Sequence, residues 1–195
     1  MTTATNGTSP NPPPRSYWER KATDIYTHAV KPIFAGMAYT SIVTPIEIAV
    51  SYTIHVFLKD KKVIKDHPYF EISFSDMAIK SPIFEEIVFR VLIHVPISWF
   101  VTTKVSDEEI SFGIGSYRCT MKKSQLITSI ASGVLFGSLH YFVAKSVTQT
   151  ILNTVTGIGY GILKEKYGLL APISAHMTNN ATLFGLLYFF YTPKA

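Results

Sequence analysis

Apolar residues in this chain come in long blocks separated by short polar stretches, and hardly anywhere in strict alternation. The blocks are Ile33–Leu58, Ser81–Thr103, Ser124–Ala144, Val147–Leu163 and Leu169–Tyr191. Helices of that length cross, or nearly cross, about 30 Å of hydrocarbon. The last three blocks are joined by very short links, so the helices they form must run antiparallel. Pro45 and Pro96 fall inside the first and second blocks and are expected to bend them. Ser81 and Pro82 read as the N-cap and first residue of the second helix. Ahead of the blocks, Tyr17–Lys31 reads as an interfacial helix with Trp18, Arg20, Lys21 and Tyr26, or equally as an ordinary surface helix, and Met1–Ser16 as a disordered, proline-rich polar tail. Lys59–Lys80 and Val105–Lys123 read as loops. The pattern predicts an all-α fold, a multi-span transmembrane helical bundle of about five membrane helices plus the N-terminal interfacial helix, in one domain over residues 17–195.

Composition sharpens this. Apolar residues make up 47% of the 195 and charged ones only 16%, while the mean hydropathy of +0.22 is diluted by the polar ends and loops. The net charge of +5 suits a membrane surface, and with no basic–aromatic array or phosphate loop, nucleic acid is not an expected partner. A single cysteine, Cys119, excludes an internal disulfide framework and a cysteine zinc site. Gly133 with Gly137, and Gly157 with Gly161, repeat at four-residue spacing, which lets membrane helices approach closely. The distribution of Lys and Arg leans towards a cytoplasmic N-terminus.

The candidate chemistry sits where charge interrupts the blocks. In SPIFEEIVFRVLIH (81–94), Glu85, Glu86 and Arg90 stand among apolar residues, and Glu86 and Arg90 lie about 40° apart around a helix. Buried in lipid, such groups cost several kcal/mol unless they pair or face a wet cavity. Helix-start carboxylates at the water boundary would be the plainer reading of Glu85 and Glu86. Glu47 and His55 interrupt the first block, Glu47 either as a packing residue or as part of a cavity wall. His140 follows Phe136 by one turn, and His176 and Asn180 share a helix face. Each histidine alone is most simply a packing residue; together with the Glu–Glu–Arg helix they supply a base, an acid and an oxyanion clamp.

These three groups, Glu85-Glu86-Ile-Val-Phe-Arg90, Phe136 to His140 and His176 to Asn180, resemble the EExxxR, FxxxH and HxxxN motifs of the CPBP intramembrane proteases. That family contains CAAX prenyl endopeptidases and bacteriocin-processing or self-immunity proteins, and the resemblance spans about residues 80–191. It implies that Glu85 is the general base, that His140 holds the attacking water, and that His176 and Asn180 donate to the oxyanion. Glu86, Arg90 and Phe136 are then supporting residues. The implied partners are membrane lipids and a membrane-anchored peptide or protein, with or without a prenyl group, and the implied place is a bacterial inner membrane or the endoplasmic reticulum. The favoured reading needs no cofactor; the alternative is a Zn²⁺ held by His140, His176 and Glu85. A non-catalytic immunity or adaptor protein on the same scaffold, and a proton-relaying transporter, are the competing functions.

Overall fold

A computed structural model describes residues 16–58, 73–114 and 117–191. The expected polar tail lies outside them except for Ser16, as do the expected loop up to Ile72 and the side chain of His55. Helix α1 (Tyr17–Ile25) starts at a reciprocal cap: Ser16 Oγ accepts the Glu19 N–H, and the Glu19 carboxylate accepts the Ser16 N–H. It runs through a π turn at Tyr26–Val30 straight into α2 (Lys31–Leu58). The second helical rod comprises a π turn at Asp76–Lys80, α3 (Ser81–Ile87), a π segment at Val88–Ile93 and α4 (His94–Thr102). Then come α5 (Lys123–Ala144), α6 (Val147–Tyr167) and α7 (Leu170–Tyr191).

Each π segment ends two or three residues before a proline: Pro32, Pro82 and Pro96. A proline has no N–H and its ring crowds the carbonyl one turn back, and a widened turn just upstream relieves both demands. This corrects the expected N-cap. Ser81 lies inside the rod with helical backbone angles, and Ser73 caps it instead, its hydroxyl accepting the Asp76 N–H at 3.2 Å. Glu85 and Glu86 therefore do not sit at a helix start, and the helix-start reading of them falls.

The expected loop after α4 is also corrected. Glu109–Ile114 and Tyr117–Lys122 form an antiparallel hairpin, β1 and β2, with Ile110 opposite Met121 and Phe112 opposite Cys119. Ile110, Phe112 and Ile114 alternate with polar residues, the strand period that the surrounding apolar blocks mask. Lys122 and Ser124 donate to Asp107 at 2.7 and 3.0 Å, tying the hairpin base to α5 and holding the Asp107 carboxyl below its ordinary range.

The bundle wears its apolar side chains outside and its polar ones inside. Phe84, Leu92, Trp99 and Phe142 are exposed, while Glu86, Arg90, His94, Thr128, Ser129 and Ser132 are fully buried. In water this arrangement would be unstable; in lipid the outer surface needs no burial and the inner polar groups find each other. Among the described residues, Tyr17–Thr53 and Lys123–Val143 are long and apolar enough to cross a membrane.

Inside, α5 and α6 pack backbone against backbone. A Cβ on Gly133 would strike Ile158, one on Gly137 would strike Thr154, and one on Gly161 would press on Ser129. Gly157 faces the Phe136 ring, so the glycine spacing read from the sequence seats an aromatic of the candidate site. Gly133→Ala is expected to lower stability by about 1–3 kcal/mol through overpacking, read as a lower thermal midpoint in detergent.

Candidate functional site

Glu85 and Glu86 are neighbours on α3 with different surroundings. The Glu86 side chain is fully buried and its Oε2 accepts the Arg90 Nε–H at 2.7 Å, one turn along the same rod. Its Oε1 lies 3.1 Å from His176 Nδ1 on α7. Arg90, also fully buried, donates through Nη1 to Ser132 Oγ on α5 at 3.3 Å and stands over the Phe136 ring. Glu85 is partly open: its Oε1 accepts the Ser81 hydroxyl at 2.6 Å, and its Oε2 is buried with no hydrogen-bond donor among the described protein groups.

Around that Oε2 the two histidines converge. His140 Nε2 is 3.5 Å away and His176 Nε2 is 3.9 Å away. The outer nitrogens fix the tautomers. His140 Nδ1 sits 2.8 Å from the Phe136 carbonyl, so this nitrogen carries a hydrogen and donates it. His176 Nδ1 faces a carboxylate and does the same. In the neutral rings both Nε2 atoms then turn a lone pair towards Glu85. With both rings neutral, three acceptors face one another, and the missing hydrogen is supplied either by a water between them or by a proton on one ring.

The rings are held by aromatic packing. Phe136, 2% exposed, meets Phe89 edge-on at 4.7 Å and lies 4.4 Å from the His140 ring and 5.9 Å from that of His176. Tyr160, on α6, lies tilted against the His176 ring at 5.2 Å. Asn180 points to the same rod as His176, donating through Nδ2 to the Met77 carbonyl at 3.0 Å. One of its amide hydrogens is thereby used and one is left.

The structure thus brings Glu85, His140 and His176 together around one point, ties Glu86 and Arg90 behind them, and puts Asn180 on the same helix face. Glu47 goes elsewhere. Buried on α2, it accepts the Thr156 hydroxyl of α6, and on the same helix Thr44 donates to Asn179 Oδ1 of α7 at 2.5 Å. That network joins three helices.

Sequence reasoning missed several participants. Ser81, read as a cap, holds Glu85. Tyr160 stands beside Gly161 of the four-residue glycine pair and carries no signal of its own. His94, fully buried, bonds Ser132 Oγ at 3.0 Å and Glu165 Oε1 at 2.7 Å. A local signal for it existed, since Glu86, Arg90 and His94 recur every fourth residue along one helix face. His140, His176 and Glu85, the residues named for the zinc alternative, face one another at 3.5 and 3.9 Å, and among the described residues no group of three or more His, Cys, Asp or Glu has the arrangement of a metal site.

Residues 72–182 match the family model described as Type II CAAX prenyl endopeptidase Rce1-like. No curated protein and no solved structure gives a significant match. The matched segment is more than half of the chain and contains all three motifs. The chain belongs to the Rce1-like family, a protease family with a helical membrane fold.

Proposed function

We propose that this member of the Rce1-like family is a multi-pass intramembrane endopeptidase, hydrolysing a peptide bond near the end of a membrane-anchored protein, prenylated where the substrate carries a CAAX-type terminus. The observation that carries the reading is the buried Glu85 Oε2, without a protein donor, faced by both histidine Nε2 atoms at 3.5 and 3.9 Å. A water placed there donates one O–H to Glu85 and one to His140, which raises its nucleophilicity at the point of attack. Its oxygen adds to the scissile carbonyl, and the proton taken by Glu85 and His140 passes to the leaving nitrogen as the C–N bond breaks. The remaining Asn180 N–H is the group offered to the oxyanion, with the His176 ring beside it held by Glu86. A donor so placed in a water-poor site stabilises the transition state by about 3–4 kcal/mol.

Purified protein with a panel of membrane-tethered peptides tests this. His140→Ala is expected to lower kcat about 10²–10⁴-fold, with far smaller change in KM, and a chelator is expected to leave the wild-type rate unchanged. Cleavage that stops with chelator and returns with Zn²⁺ would replace the glutamate–histidine mechanism by a zinc one. Absence of cleavage across the panel, with a folded wild type, would favour the adaptor function.

A further inference from the structure

Behind the candidate site a polar chain continues through the bundle and leaves it on the far side. Arg90 Nη1 donates to Ser132 Oγ at 3.3 Å, Ser132 Oγ lies 3.0 Å from His94 Nδ1, and His94 Nε2 lies 2.7 Å from Glu165 Oε1. Glu165, near the C-terminal end of α6, also accepts Gln125 Nε2 at 2.9 Å and Lys164 Nζ at 2.7 Å. Hydrogen counting orders the chain. The Glu165 carboxylate can only accept, so His94 Nε2 carries the hydrogen. In the neutral ring Nδ1 then accepts the Ser132 hydroxyl, and Ser132 Oγ keeps its lone pairs for Arg90. Ser132 also has the Ser129 carbonyl within 3.3 Å as a competing acceptor.

The serine–histidine–carboxylate order resembles that of a hydrolytic triad, but Ser132 and His94 are fully buried. Arg90 already occupies the serine oxygen, so no substrate carbonyl can reach it. The chain ends instead on a guanidinium that grips Glu86, and Glu86 fixes His176. Without Ser132 the guanidinium would keep Glu86 as its sole hydrogen-bond partner, because its Nη2 is buried with no acceptor among the described residues.

We infer that Ser132, His94 and Glu165 are positioning residues: a strut from the end of α6 that sets Arg90, through it Glu86, and so the orientation of the His176 ring. The inference rests on the endopeptidase reading for its catalytic consequence, while its geometric core is independent of catalysis.

The test uses the full-length protein in detergent with two readouts. The first is peptide cleavage; the second is the ¹⁵N imidazole signal of His176 in histidine-labelled protein. Ser132→Ala is expected to lower kcat about tenfold with KM within about twofold, and to shift the His176 Nδ1 signal. Thr128→Ala is the control. It removes another fully buried hydroxyl of α5, one bonded to the Ser124 carbonyl within the same helix, and should change neither readout. His94→Gln, which keeps an acceptor for Ser132 and a donor for Glu165, should retain more activity than His94→Leu. Equal losses in Ser132→Ala and Thr128→Ala that follow their melting curves would overturn the strut, as would a Ser132→Ala protein with wild-type kcat and an unmoved His176 signal. If no variant and no wild type cleaves, yet the signal moves in Ser132→Ala and not in Thr128→Ala, the strut stands and the protease reading fails.

Discussion

Glu85→Gln is expected to reduce peptide cleavage at least a thousandfold while the protein stays folded. The two halves of this expectation come from the two oxygens of the side chain. Oε1 accepts the Ser81 hydroxyl at 2.6 Å, and a glutamine carbonyl accepts the same bond, so the side chain keeps its anchor. Oε2 is the atom facing the Nε2 atoms of His140 and His176. In the variant that position becomes an NH₂ group, which cannot take a proton from water and donates towards the histidines instead. General-base assistance is worth about 10²–10⁴-fold, and filling the water's place with a competing donor puts the loss towards the upper end. Stability should change little, because Glu85 is partly exposed and is paired with no full positive charge other than what the histidines carry. The measurement is a single-turnover cleavage rate beside a thermal melt of the same preparation. A variant that melts like wild type and cleaves at more than a tenth of its rate would remove Glu85 from the chemistry.

The parts of this arrangement that could be read from the sequence are those written within one helix. Glu86 with Arg90, Phe136 with His140, and His176 with Asn180 are each one turn apart. A helix puts such pairs on one face whatever the bundle does around it. The apolar blocks likewise locate the helices, since length and hydropathy are local properties. The pairings that set the chemistry are different. His176 finds Glu86 at a separation of 90 positions, and His94 finds Glu165 at a separation of 71. Those depend on how the rods are rotated against each other, which the sequence encodes through packing. Glu165 sits in the Lys164-Glu165-Lys166 run and looks like a solvated helix end. Only the placement of α4 and α5 beside it shows its carboxylate turned inward. The hairpin and the upstream start of the second rod were missed for another reason: π turns and a short two-stranded ribbon follow no helical period, and the prolines that cause the π turns look like helix starts.

Arg90→Met is expected to cost about 3–5 kcal/mol of stability, the usual penalty for removing one partner of a fully buried ion pair. Glu86 would keep only the His176 Nδ1 hydrogen at 3.1 Å, with its Oε2 facing a methyl group, and Ser132 would lose its donor. A carboxylate isolated among helices pays most of its desolvation cost without the compensating charge. The double variant Glu86→Leu with Arg90→Met should recover most of that loss, because apolar replacements of a buried pair are often neutral or stabilising by about 1–4 kcal/mol. Its activity should not recover, since His176 Nδ1 would then face a leucine and the ring would lose the contact that fixes its tautomer. Unfolding of the single and double variants in detergent, with cleavage assayed in parallel, separates the two contributions. If Arg90→Met alone cost less than about 1 kcal/mol, the pair would not be the charge-compensating centre of the bundle. If the double variant regained cleavage together with stability, the polar residues behind Glu85 would be packing alone.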